Sequence, residues 1–175
     1  IPGFTELVKK RDPLAGEDGE NIDKIKMWNW LGHDSIKNPL TDKGGVGWIL
    51  AENWWPYQRY SAVTPNFAGY ISGHSTFSTA GAAVLSEITG SEFFPGGMHE
   101  FTARKNEFLD FEEGPSTDVT LQWATYWDAA YQTCLSRVCG GIHPPADDIP
   151  GRHIGKQCGE DAVKLANKYF EGKVN

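Results

Sequence analysis

The chain has 175 residues, a formal net charge of −7 and an aromatic content of 13%, with a mean hydropathy of −0.45. That is enough chain for one domain with a real core, and too apolar for a disordered one. The acidic balance excludes nucleic acid and anionic membrane as natural partners, and no run approaches the ~18 apolar residues of a membrane span.

Residues 1–20 are punctuated by Gly and Pro and read as a surface arm. Asn21 is a fair cap for a short helix over 21–31, with Ile22, Ile25 and Trp30 on a partial stripe, ended by Gly32. His33-Asp34 reads as turn chemistry. Trp48 to Trp55 is either a short helix or an extended aromatic segment, followed by a loop through Arg59, Thr64-Pro65 and Gly69. Arg59 is expected to pair or stack on Trp54 or Trp55, or else to reach an anion site. Residues 74–90 are the best-supported helix: Phe77, Ala80, Gly81, Val84, Leu85 and Ile88 recur at helical spacing, the small residues between them admit a close neighbour, and Gly90 is a stop. Phe93 to Pro115 breaks the pattern, with alternation that fits a small β-hairpin or lid around 100–113; His99 reads as a surface residue. A long helix is expected over 118–139, capped by Asp118, with Val119, Trp123, Tyr126, Ala130, Cys134 and Arg137 on one stripe. A last helix runs from about Ala146 to Phe170, with a break near Pro150-Gly151. Three cysteines cannot pair fully, so buried free thiols are expected, with a Cys139–Cys158 bridge as the alternative. Domain organisation follows: an arm and linker with a short helix over 1–47, and a helical core over 48–175.

Two stretches carry chemistry. Ser72-Gly73-His74 opens the first helix, where unpaired N–H groups and the macrodipole favour an anion. In the second, Ser136-Arg137 precedes His143 by a few residues, and Asp147 follows four later. A guanidinium on the buried stripe needs an anionic partner, either Asp128 or a bound oxyanion. One helix N-terminus, one Arg and two His suit a tetrahedral oxyanion.

These stretches resemble the second and third motifs of the superfamily that joins vanadium-dependent haloperoxidases with type 2 phosphatidic acid phosphatases. Ile71 stands where the phosphatase form usually has Pro. Trp55-Pro56-Tyr57-Gln58-Arg59, Phe93-Phe94-Pro95-Gly96-Gly97, Phe111-Glu112-Glu113-Gly114-Pro115-Ser116 and the run from Gly140 to Arg152 resemble a soluble bacterial-type branch. The resemblance covers roughly 48–170. It implies an all-α helical bundle and a vanadate cofactor bound through His143, with Asp147 fixing the tautomer of that ring. Ser72, Gly73 and Arg137 would hold the remaining oxygens, and His74 would be the acid–base group. It further implies hydrogen peroxide and halide as substrates. The alternatives are a soluble acid phosphatase working through a phosphohistidine, and a non-catalytic piece of a larger protein. The superfamily's first motif, a Lys followed by an Arg, has no counterpart: Lys37 and Lys43 lack the Arg, and Lys9 and Lys10 sit too close to Arg11. A companion chain or a preceding segment is therefore expected to supply those cations, with Ile1 an internal position, and an oligomer is expected. No compartment is assigned, a secreted or periplasmic one being only slightly favoured.

Overall fold

The computed structural model describes residues 3–63 and 65–173; Ile1, Pro2 and Thr64, the last part of the loop expected at Thr64-Pro65, lie outside them. Two compact units share the chain: Ile1–Ala62 with Arg104–Val119, and Val63–Ala103 with Thr120–Asn175.

The first unit is built on a three-stranded antiparallel sheet in the order β1 (Thr5–Leu7), β2 (Ile25–Trp30), β3 (Val46–Leu50). Two expectations give way here. The segment 21–31 is a strand and not a helix, because Ile25-Lys26-Met27-Trp28-Asn29-Trp30 alternates between faces, with Lys26 and Trp30 turned inward. The supposed arm also anchors the sheet: Val8 is fully buried and forms a core with Ala15 and Leu50. Trp28 lies opposite Trp48, their rings meeting edge to face at 5.7 Å. Lys26 is inward but satisfied, bonded to Asp12 at 2.5 Å and lying over the Trp48 ring. The 104–119 excursion closes on this unit. Its Glu112 carboxylate, nearly buried, accepts from the Trp30 indole, the Gly44 amide and the Tyr57 hydroxyl. The loss of solvent first, and then the bond to Glu112 and its charge, push the Tyr57 phenol well above its ordinary pKa.

The second unit holds three helices, α1 (Gly73–Thr89), α2 (Tyr126–Cys139) and α3 (Pro145–Phe170), with a two-stranded sheet of β4 (His99–Ala103) and β5 (Val119–Trp123). The all-α expectation is therefore wrong: the described residues form two small antiparallel sheets as well as three α-helices. Its chief error lies at 118–125. Val119 to Trp123 is a strand; the true cap of α2 is Thr125, whose hydroxyl accepts from the Asp128 amide while Asp128 accepts from the Thr125 amide. Asp118, expected to cap that helix, instead accepts from the Lys105 amide and braces the 104–119 loop. The hairpin expected around 100–113 has its first strand near there, but its partner lies beyond Pro115.

The helix α1 begins and ends as its residues dictate, with Ser72 capping through its side chain and Gly90 in the left-handed region at φ 68°. Its buried face is a surprise. Ser75, Thr79, Ala82 and Ala83 turn inward, whereas Phe77, Leu85 and Ile88 of the apolar stripe are exposed. The reason lies in α3, which buries Gly151, Gly155 and Gly159 at every fourth position. A Cβ on Gly155 would sit 2.1 Å from the Thr76 carbonyl oxygen, and one on Gly159 2.5 Å from that of Ala80. Backbone therefore meets backbone along this seam, leaving no room for large side chains. Pro150 lies within α3 without ending it. All three cysteines are free, but only Cys134 is buried; Cys139 and Cys158 are exposed. No helix among the described residues is long and apolar enough to cross a membrane.

Candidate functional site

Three helix ends meet in the second unit. The N-terminus of α1 presents Ser72, Gly73 and His74, the last turn of α2 presents Arg137, and the approach to α3 presents His143 and Asp147. Backbone bonds tie them together. The Ser72 amide donates to the Asp147 carbonyl at 3.1 Å, and the Ile142 and His143 amides donate to the Arg137 carbonyl at 2.9 and 3.3 Å. The loop that folds His143 back onto α2 turns at Gly141, whose φ of 70° excludes most side-chain-bearing residues. Pro144 and Pro145 then open α3, where a missing N–H costs nothing.

Each side chain has a defined state. His143 Nδ1 lies 3.1 Å from Asp147 Oδ2. With the carboxylate as acceptor, Nδ1 carries the proton and Nε2 keeps its lone pair. Asp147 sits in the first turn of α3, where the macrodipole favours its charge. Ser72 is fully buried; its Oγ accepts from the Ser75 amide, and because the one hydrogen of the Ser75 hydroxyl goes to Asp148, the Ser72 hydroxyl donates to Ser75 Oγ at 3.0 Å. Gly73 and His74 head the helix, where their amides have no intrahelical partner. A Cβ placed on Gly73 would meet open space, a cradle beside the helix end. His74 is held below its ordinary pKa by partial desolvation first and then by the charge of Arg137, to which His143 adds when it is protonated. Those two groups therefore lie within electrostatic reach of it.

Arg137 decides between its two possible partners. Asp128 is spent in the cap of α2, and the buried Nε of Arg137 has no hydrogen-bond partner. Burial also pushes the Arg137 pKa down. A buried donor left unpaired is costly, and an oxyanion at this helix end supplies the acceptor. The residues thus fit a tetrahedral oxyanion in kind. Arg59 pairs with Asp110 at 2.5 Å within the first unit. Among the described residues no group of three or more His, Cys, Asp or Glu is placed to share a metal ion.

One cluster at this site was not singled out from the sequence. Asp148, next to Asp147, is buried and accepts from the Ser75 hydroxyl at 2.6 Å and from Arg152 at 2.5 and 3.1 Å. The signal was present in the four-residue spacing of Asp148 and Arg152, which places an acid and a base on one helix face.

Residues 22–172 match the family model described as the VCPO second helical-bundle domain. No curated protein matches the chain. Among solved structures, the chain is similar to an apo-type bacterial vanadium-dependent chloroperoxidase with a TM-score of 0.67 and 20% identity, the match covering 86% of this chain and 29% of that one. A holo-type bacterial vanadium-dependent chloroperoxidase matches with a TM-score of 0.64 and 19% identity, over 83% of this chain and 27% of that one. At such identities the likeness is one of fold, and the chain spans less than a third of either structure.

Proposed function

The chain belongs to the family of VCPO second helical-bundle domains, and from that membership we propose that its helix-end cluster holds vanadate and serves the oxidation of halide by hydrogen peroxide. The observation that carries this reading is the buried, unpaired Nε of Arg137 beside the N-terminus of α1. When bound, vanadate supplies a Lewis acid that polarises peroxide without changing its own oxidation state.

The roles of the chain's own groups follow from their states. His143 offers Nε2, and Asp147 holds the ring in the tautomer that leaves that lone pair free. Arg137 offsets anionic charge through Nε, and the Gly73 amide adds a donor at the positive end of α1. Ser72, whose hydrogen goes to Ser75 Oγ, caps the turn that presents the Gly73 amide. His74, whose pKa is depressed, is neutral near pH 7 and exchanges a proton at its ring with peroxide. One guanidinium does not balance a highly charged oxyanion, and uncompensated buried charge is expensive. The further cations, a Lys and an Arg, are assigned to a companion chain or another part of a longer polypeptide.

Isothermal titration with orthovanadate tests the reading. Wild type is expected to bind; His143→Ala is expected to lose binding, and Gly73→Ala to weaken it while folding normally, because its methyl group enters only open space. Equal affinity in wild type and His143→Ala would overturn the assignment. Hydrolysis of p-nitrophenyl phosphate, with no vanadate-dependent bromide oxidation once a Lys/Arg segment is supplied, would replace haloperoxidase with phosphatase.

A further inference from the structure

We propose that Asp148, through Ser75, is a positioning residue that sets the Ser72–His74 turn against His143. The inference rests on reading the helix-end cluster as an oxyanion site. Asp147 and Asp148 are consecutive on α3, so their side chains leave the helix about 100° apart. Asp147 faces His143 and Asp148 faces α1. Two neighbouring carboxylates of one helix thus hold the two halves of the site.

The Asp148 carboxylate is 3% exposed, and both of its oxygens are used. Oδ1 accepts from the Ser75 hydroxyl at 2.6 Å and from Arg152 Nε at 3.1 Å, and Oδ2 accepts from Arg152 Nη2 at 2.5 Å. Ser75 passes the restraint on, because its hydroxyl oxygen accepts from the Ser72 hydroxyl at 3.0 Å and its amide is capped by Ser72 Oγ. Ser72 and Ser75 are both fully buried. Arg152 in turn lies over the Tyr131 ring of α2 at 5.3 Å, so the clamp touches all three helices. Burial opposes the charged carboxylate, but Arg152 and Ser75 outweigh it and hold its pKa below the ordinary value. A buried ion pair is rarely the most stabilising choice for a core position, and its best-attested use is to impose one arrangement. Here the arrangement imposed is the placement of the Gly73 and His74 amides relative to His143 Nε2. An anion that bonds both sides at once needs that placement to within about 0.5 Å.

The test uses the 175-residue chain with Asp148→Asn and Ser75→Ala, the probe being orthovanadate, with the imidazole resonances of all His residues followed by NMR. Both variants are expected to bind orthovanadate about tenfold more weakly. The signals of His74 and His143 should shift while those of His33 and His99 stay. A lowered thermal midpoint with unchanged affinity of the folded protein and unchanged His74 and His143 signals would overturn the proposal, since a purely structural role predicts that result. Should Asp148→Asn fail to fold, Ser75→Ala decides, because it leaves the Asp148–Arg152 pair intact. Failure of wild type to bind orthovanadate would overturn the reading of the site; the imidazole shifts then decide the positioning role separately.

Discussion

Substituting Gly155 by Ala tests the backbone seam on which the site depends. In an isolated helix this change stabilises by about 1 kcal/mol, because Ala loses less conformational entropy. In this structure the new Cβ falls 2.1 Å from the Thr76 carbonyl oxygen and 2.2 Å from Thr79 Oγ1, where ordinary contact begins at 3.4 Å. The obstruction at Thr76 is backbone, so no rotamer relieves it, and α1 and α3 must part by about 1.3 Å, the difference between those distances. A gap of that size forfeits at least half of the dispersion well for atoms along the seam. It also strains the Thr79–Ser75 and Ser75–Asp148 hydrogen bonds. Overpacking of this kind costs about 3 kcal/mol, so the net loss is about 2 kcal/mol once propensity is credited. For a chain of this length that lowers the thermal midpoint by about 6 °C. Far-ultraviolet circular dichroism at 222 nm is the assay, since the α-helices all lie in the second unit. Gly81→Ala is the control: a Cβ there meets nothing within 4 Å, so that variant should gain about 1 kcal/mol. A Gly155→Ala midpoint equal to or above wild type would refute the seam argument.

Arg137→Met should leave thermal stability unchanged or raise it by about 1 kcal/mol, because it removes an unpaired buried donor while keeping the stem, and should abolish orthovanadate binding; a large loss of stability would reveal a protein partner for the guanidinium. The depressed pKa of His74 gives a signed pH dependence. The unfolded chain takes up that proton first as pH falls through about 6.5, so this contribution to stability is complete above that pH and is lost as pH falls toward the folded pKa. Urea midpoints at pH 7.5 and pH 5 should therefore differ less in His74→Gln than in wild type, and an unaltered difference would refute the coupling.

The helix ends that carry the candidate site were more legible in the sequence than the strands. Ser72-Gly73-His74 announced a helix start because cap, small residue and periodicity all lie within one turn of each other. The pattern from Arg137 to Asp147 announced a helix end followed by a Pro-opened helix for the same reason. The strands were harder to read. Val119-Thr120-Leu121-Gln122-Trp123 extends the apolar spacing of α2 backwards, and over five residues a helical period and a strand period pick out overlapping positions. Pairing with β4, not propensity, made it a strand. β2 was misread likewise, since Ile22, Ile25, Lys26 and Trp30 fall at helical spacing, while pairing with β1 and β3 makes 25–30 a strand.

Local residues by themselves determined where α1 begins and ends and the presence of a cation on the inner stripe of α2. Each depends on groups a few positions apart. Tertiary structure alone decided which face of α1 is buried. Hydrophobic periodicity points to Phe77, Leu85 and Ile88, yet the glycines of α3 admit only Ser75, Thr79 and the small alanines. Close backbone approach outweighs apolar area where one helix offers no side chains to fill the gap. Local structure, in contrast, withheld Asp128 from Arg137 Nε, because that carboxylate bonds Thr125 in the cap of its own helix.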